Sequence, residues 1–453
     1  MEKMEDFKKS NVKRVTPVGI LFLGFLALIL VGSGLLVLPF ASKSGESIKY
    51  IDALFVSTSA TCVTGLTPFN TFQTFTLFGQ IIILLLIQIG GLGFMTLISI
   101  LLLWIKKELG VYSKTILVQS AGSFSFGSVK HLLRKIVIYT AIFEFVGWIT
   151  LSLLMLPDFG GEAFYYGLFT AISAFCNAGF DLFSDSLVTY SSNAGIMITI
   201  MILINVGGLG FIVLSDLFDC KFRFSKLQVH SKIVLIGDLI LILVPSLLFF
   251  LFEFVDVGQN GTYMDLSIGE KILNSLFLSI TPRTAGFYTL DYSKLTAASK
   301  ELTSILMFIG GNSGSTAGGL KVTTIVVVII AVISTARRNE DTIIFKRKIS
   351  NKVIQQSNAL FFAYLLLLLI SITAISTAEA GITTEESVFE CISALSTVGL
   401  SLGVTSSLSI FSKIVLIVLM YLGRVGAFGL FYLIFRKSNK HLIAYPEGRI
   451  LVG

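Results

Sequence analysis

One short pattern occurs four times in this chain at nearly even intervals. It reads Thr61-Cys62-Val63-Thr64-Gly65-Leu66, Phe175-Cys176-Asn177-Ala178-Gly179-Phe180, Pro282-Arg283-Thr284-Ala285-Gly286-Phe287 and Leu395-Ser396-Thr397-Val398-Gly399-Leu400. The glycines stand 114, 107 and 113 residues apart. A phenylalanine precedes each one (Phe55, Phe169, Phe277 and Phe389), ten residues upstream in three copies and nine in the third. A second glycine-rich run follows each: Gly90-Gly91-Leu92-Gly93, Gly207-Gly208-Leu209-Gly210, Gly310-Gly311-Asn312-Ser313 and Gly423-Arg424-Val425-Gly426. The first glycine of each run lies 25, 28, 24 and 24 residues downstream of its motif glycine. Self-similarity at a fixed long period marks a repeated structural unit, so the fold must accommodate four copies of one element.

The unit belongs in a bilayer. Only 13% of the residues are charged and mean hydropathy is +0.87, whereas soluble chains are about a quarter charged. Apolar runs of 18 or more residues recur, long enough to cross a roughly 30 Å hydrocarbon core at about 1.5 Å per residue. The polar start, with Lys3, Lys8, Lys9, Lys13 and Arg14, leads into a run too long for a signal-peptide core, so no cleaved signal is expected. The net charge of +7 comes from short clusters between spans, which excludes a nucleic-acid footprint. Those clusters are the N-terminus, Lys106-Lys107, Lys130 with Arg134 and Lys135, and the stretches 221–226, 337–352 and 436–440. The positive-inside tendency places them, and both termini, in the cytoplasm. Cys62, Cys176, Cys220 and Cys391 lack paired spacing, and His131, His230 and His441 are scattered, so neither a disulfide framework nor a metal cluster is expected.

Taken in order, the chain divides into repeats at 16–110, 111–228, 229–350 and 351–440, with cytoplasmic ends at 1–15 and 441–453. The tail 441–453 reads equally as a contact surface or a loose end. Each repeat reads as a span, a short helix, a loop and a second span. The spans are expected at 16–38, 77–105, 132–156, 194–217, 233–254, 302–336, 359–378 and 410–435. The short segments 52–61, 162–176, 270–281 and 385–396 cannot cross and read as re-entrant half-helices. The expected fold class is all-α integral membrane, with eight transmembrane and four re-entrant pore helices around a pseudo-fourfold axis.

Irregular backbone at membrane depth costs several kcal/mol per unsatisfied polar group unless it lines a wet cavity or is buried in protein. Four such loops converging on one axis would stack rings of carbonyl oxygens able to replace the water around a cation. The candidate ion-binding residues are Val63, Thr64, Gly65, Asn177, Ala178, Gly179, Thr284, Ala285, Gly286, Thr397, Val398 and Gly399. Glycine allows φ > 0 without a Cβ penalty, so successive carbonyls can point one way. Asp52, Glu162, Glu270 and Glu385 or Glu386 complement the positive ends of the short helices, leaving their negative ends toward the axis. No ring of carboxylates stands beside the glycines, which favours a monovalent cation.

Two features interrupt the spans. The last span of the third repeat contains Gly310, Gly311, Asn312, Ser313, Gly314, Ser315, Thr316, Ala317, Gly318 and Gly319, and each glycine costs a helix about 1 kcal/mol relative to alanine. A flexible loop inside the membrane is expected, with a packing kink as the plainer reading. Arg424 replaces the second glycine of its run and lies too deep to reach water easily. It is expected to bind carbonyls of the loop and raise an electrostatic barrier, the other reading being a structural hydrogen bond. Gln88 and Asn205 align with each other and suit interhelical hydrogen bonding or a cavity wall.

Thr397-Val398-Gly399 echoes the potassium-channel filter, and Thr281-Pro282-Arg283-Thr284-Ala285-Gly286-Phe287 and Cys176-Asn177-Ala178-Gly179-Phe180 resemble the motifs of the Trk/Ktr/HKT superfamily of potassium transporters. The resemblance covers essentially the whole chain and, with eight spans expected, is nearer the Ktr branch. It implies a potassium-uptake subunit that passes the ion passively through a four-loop filter, with 310–319 and Arg424 as the gate below. It also implies a homodimer, control by a separate cytosolic nucleotide-binding (RCK-type) ring, stimulation by sodium, and no cofactor in the chain itself. An alternative is a secondary transporter of another monovalent cation or small solute, though the spans offer only isolated acids such as Glu144 and Asp216. An intramembrane enzyme would need a nucleophile-base or metal pair that the histidines are misplaced to give.

Overall fold

The computed structural model describes residues 17–93, 129–255, 263 and 265–426. The expectations for the two chain ends, for Lys106-Lys107 and for the distal halves of the spans at 77–105 and 410–435 lie outside these residues. The described chain is almost entirely helical, apart from a small hairpin of β1 (Ile343–Ile344) and β2 (Arg347–Lys348).

Four short helices lead into the four motifs: α2 (Tyr50–Cys62), α5 (Ala163–Cys176), α9 (Ile268–Ile280) and α13 (Thr384–Ser396). Longer or outer helices surround them: α1 (Pro17–Leu36), α3 (Leu77–Leu92), α4 (Val129–Phe159), α6 (Ala194–Leu209), α7 (Phe211–Asp219), α8 (Val229–Phe254), α10 (Ala297–Phe308), α11 (Val322–Ala336), α12 (Asn351–Ala378) and α14 (Ile410–Val425). Capping residues set the starts. Ser267 with Glu270, and Thr383 with Glu386, form reciprocal capping boxes on α9 and α13, satisfying amides that the helices leave open. Glu162 precedes α5 without capping it, and Asp52 turns its carboxylate to another partner.

The helix that follows each motif packs on two short helices. α3 lies against α2 and α5, α6 against α5 and α9, α10 against α9 and α13, and α14 against α13 and α2, so the series closes on itself. At the closing contact Lys413 of α14 bonds Asp52 of α2 at 2.7 Å, both side chains nearly buried. Phe55, Phe169, Phe277 and Phe389, one per short helix, are all at most 1% exposed and knit this centre together.

The outer helices carry their apolar side chains outward. Val146, Leu247 and Phe362, among others, are exposed on α4, α8 and α12, an arrangement stable only where lipid replaces water. α1, α8, α12 and the stretch Leu133–Cys176 are each long and apolar enough to cross a membrane. The chain is a membrane protein.

The span expected at 194–217 is not straight. α6 and α7 meet at 94° around Gly210, whose φ is 95°. The loop packs into this bend: the Phe211 amide donates to the Gly314 carbonyl at 2.9 Å, and a Cβ at Gly210 would come 2.8 Å from the Ser313 carbonyl oxygen. α3 and α14 end at the equivalent Gly93 (φ 83°) and Gly426 (φ 92°).

The closing ion pair yields a stability prediction. Lys413→Met strands the Asp52 carboxylate and should cost roughly 3–5 kcal/mol. Asp52→Asn in the same chain should recover most of that loss, as read from thermal unfolding in detergent.

Candidate functional site

Three of the four short helices end directly on a residue in the left-handed region, while the third is capped by Thr281 in the right-handed region and turns left-handed only at Thr284. Val63 has φ 58°, Asn177 58°, Thr284 74° and Thr397 53°, and two residues later Gly65, Gly179, Gly286 and Gly399 are again positive, at 97°, 67°, 79° and 96°. This alternation of hand turns successive carbonyls to the same side. Holding valine or threonine there costs about 1–3 kcal/mol, which the surroundings must offset. The amides do so by folding back on the helix end: Thr64, Ala178 and Val398 donate to the carbonyls of Ser59, Ser173 and Ser393 at 2.8, 2.8 and 2.9 Å. In the first and fourth copies a serine hydroxyl adds a further hold. Ser59 Oγ accepts from the Gly65 amide at 3.0 Å and Ser393 Oγ from the Gly399 amide at 3.1 Å.

The four glycines touch in a closed cycle. A methyl group at Gly65 would come 2.7 Å from the Ala178 carbonyl oxygen and one at Gly179 2.8 Å from that of Ala285. One at Gly286 would come 2.5 Å from the Val398 carbonyl oxygen, and one at Gly399 would overlap that of Thr64. The residues just after the glycines line a cavity of about 640 Å³, with Asp181, Asp185 and Asp291 in its wall and Lys294 paired to Asp291 at 3.3 Å. Within the cycle the hydroxyls of Thr64, Thr284 and Thr397 are buried without a hydrogen-bond partner. Carbonyls and orphaned hydroxyls together are the oxygen set a dehydrated cation requires.

On the other side of the cycle lies the segment 310–319. α10 stops at Phe308, α11 starts at Val322, and the residues between them fold back, the Val322 amide reaching the Gly311 carbonyl at 3.2 Å. The loop is tied to its neighbours. Asn312 and Thr316 amides donate to the Gly208 and Gly207 carbonyls, both at 3.3 Å, and Thr316 Oγ1 donates to the Phe175 carbonyl at 3.2 Å. A Cβ at Gly318 would overlap the Thr397 hydroxyl, and one at Gly319 would come 3.0 Å from the Ser396 carbonyl oxygen.

Two cations grip this loop. Arg424 donates to the carbonyls of Thr316 and Gly90, and at 3.1 Å to that of Gly91. Lys321 Nζ donates to the carbonyls of Ala317 at 2.7 Å and Gly318 at 3.0 Å. Arg424 thus meets a loop carbonyl, and Lys321 is a partner that reading the sequence did not single out. Gln88 makes an interhelical bond, donating to the Glu144 carboxylate at 3.0 and 3.2 Å, whereas Asn205 Oδ1 accepts at 2.9 Å from Arg283 on the third motif strand. Ser59 and Ser393 were also missed. The signal was present, since serine stands six residues before the glycine in three copies, with Ile280 in the third.

A family model described as "TrkH: Cation transport protein" matches residues 25–441. The chain is 38% identical to the potassium/sodium uptake protein NtpJ of Enterococcus hirae, over 99% of this chain and 100% of that one. It is 36% identical to Ktr system potassium uptake protein B of Bacillus subtilis, over 97% of each. Its fold is similar to the crystal structure of the potassium transporter TrkH from Vibrio parahaemolyticus, with a TM-score of 0.75 at 20% identity, covering 94% of this chain and 86% of that one. With the matched family model spanning most of its length, the chain belongs to the TrkH family of cation transport proteins.

Proposed function

We propose that this chain is the ion-translocating membrane subunit of a potassium-uptake system. Its four repeats, each a span, a pore helix, a filter strand and a second span, surround one pseudo-fourfold pore with eight spans and both termini cytoplasmic. Potassium sheds its water at the mouth, passes the oxygens of residues 63–65, 177–179, 284–286 and 397–399, and meets the 310–319 loop with Arg424 below. The observation that carries this reading is the closed cycle of glycine contacts, supported by the names of the two relatives in cell uptake of potassium.

The chemistry follows from the oxygen set. Backbone carbonyls and threonine hydroxyls offer neutral dipoles, enough for a monovalent ion to bind without being trapped. The carboxylates of the mouth raise the local cation concentration. The loop blocks passage by filling the space under Thr397, and the guanidinium of Arg424 adds repulsion while fastening the loop to Gly90 and Gly91. The loop rests on hydrogen bonds rather than on an apolar core, so it can swing aside at modest cost. A separate cytosolic nucleotide-binding ring of the RCK type drives that motion, a second copy of the chain completes a homodimer, and sodium acts as a stimulating ion. These three partners follow from the Ktr resemblance, and no cofactor is assigned to the chain itself.

The first test is growth. Expression in a bacterial strain lacking potassium uptake should restore growth at low potassium, more strongly with the regulatory ring, and failure in both arms contradicts the proposal. Gly286→Ser, at a positive φ with no room for a Cβ, should lower the preference for potassium over sodium by about tenfold, or ~1.4 kcal/mol, in competitive uptake. Arg424→Ala should raise basal uptake several-fold. Burial pushes the carboxyl of Asp181, on the loop beyond the cycle, up to about 7, against the Phe183 amide and Ser186 hydroxyl that hold it down. Since the neutral acid no longer attracts a cation, apparent potassium affinity should fall as the external pH drops from about 8 to about 6. Asp181→Asn should flatten that dependence.

A further inference from the structure

The third repeat carries a charge that the others lack. Three residues before the motif glycine stand Cys62, Cys176 and Ser396 in three copies, but Arg283 in the third. Arg283 is 6% exposed, and its guanidinium points away from the cycle into a buried polar knot. Nη1 bonds Asp238 Oδ1 of α8 at 2.5 Å and Nη2 bonds Asn205 Oδ1 of α6 at 2.9 Å. Asp238, 7% exposed, receives a second donor from the intramembrane loop: Asn312 Nδ2 lies 3.1 Å from Oδ1 and 2.9 Å from Oδ2. The same amide nitrogen reaches the Gly208 carbonyl at 3.0 Å, so it faces acceptors alone and its orientation is chemically fixed. Asn312 is 1% exposed.

Two consequences follow from elementary electrostatics. A bare guanidinium so near the passage would repel the ion being transported, because Coulomb interactions are weakly screened in a buried environment. Asp238 cancels that field. The same carboxylate is also the only group among the described residues that hydrogen-bonds both the third filter strand and the loop beneath it, so a displaced loop removes one of its stabilising donors. A shift in Asn312 therefore changes how well Arg283 is neutralised and held.

We propose that Asp238, Arg283 and Asn312 form a positioning link through which the state of the 310–319 loop sets the cation affinity of the third filter strand. When Asn312 is docked, the carboxylate is shared between Asn312 and Arg283. When the loop swings out, Asp238 is left to Arg283 alone and the strand carrying Thr284, Ala285 and Gly286 relaxes with it. The inference rests on reading the glycine cycle as the ion filter and adds a residue-level coupling between filter and gate.

Rubidium-86 uptake by cells lacking other potassium-uptake systems separates the parts, with membrane abundance of each variant measured by immunoblot. Asp238→Asn leaves Arg283 unneutralised and should raise KM roughly tenfold, within the range of measured coupling effects. Arg283→Gln leaves the carboxylate in excess and should lower KM, and the double variant should return close to the parent value. A merely structural knot would move both single variants the same way, and that outcome overturns the electrostatic half. Asn312→Ala removes the loop's donor to Asp238 together with its side-chain bond to the Gly208 carbonyl, and should change maximal rate several-fold, with sensitivity to the regulatory ring reduced; unchanged rate and regulation overturn the coupling. If Asp238→Asn fails to reach the membrane, the sign of the Arg283→Gln effect and the Asn312→Ala rate still decide the matter. Gly286→Ser assayed alongside isolates the premise: unaltered rubidium-over-sodium discrimination there refutes the filter reading, whereas altered discrimination with silent link variants refutes the link alone.

Discussion

Peptide groups in the middle of a bilayer have no water to bond, and in this chain four short helices give way to irregular backbone at the four motifs. The structure answers that constraint by making the broken ends satisfy one another. Ser59, Ser173 and Ser393 carbonyls take up an amide just past three of the four short helices, Arg424 and Lys321 take up carbonyls of the loop, and Gly207 and Gly208 take up two of its amides. Among the side-chain groups left without a partner are the hydroxyls of Thr64, Thr284 and Thr397, next to the glycine cycle. Unpartnered oxygens at that depth are the groups that the proposed filter would turn to a cation.

Close approach is the second consequence. Methyl groups at Gly90, Gly207 and Gly423 would overlap the carbonyls of Thr61, Phe175 and Leu395, each four residues before its motif glycine. The second glycine run therefore exists to let the following helix lie directly on the end of its own short helix. The third repeat departs from this rule. Its Gly310 packs instead on Gly318 and Gly319 of the folded-back loop, its short helix ends in Thr281-Pro282, and Arg283 replaces the serine-based hold with a buried ion pair. The repeat that supplies the loop is thus also the one whose motif strand is anchored differently, so fourfold sequence symmetry gives way to a structural asymmetry.

Much of this was legible in the residues. The repeat period, the four buried phenylalanines and the break at 310–319 all come from side-chain type and spacing, which report local conformation and which face is buried. Partners across the fold are another matter. Lys413 finds Asp52, 361 residues away, and Gln88 finds Glu144, because helices pack in a cycle that no periodicity encodes. The left-handed turn at Val63 runs against the preference of a β-branched residue, so local propensity argued for the wrong conformation there. The bend at Gly210 falls on the last glycine of its run, as the helix ends at Gly93 and Gly426 do, but the loop from 310–319 that packs into it is a tertiary partner invisible in residues 194–217.

The most direct test of the account is to locate the ion. A structure determined in rubidium or thallium, read by anomalous scattering, should show a heavy cation on the axis within about 3 Å of the carbonyl oxygens contributed by all four motifs. Density confined to the outer cavity or to one side of the cycle, with none between the four strands, would contradict it.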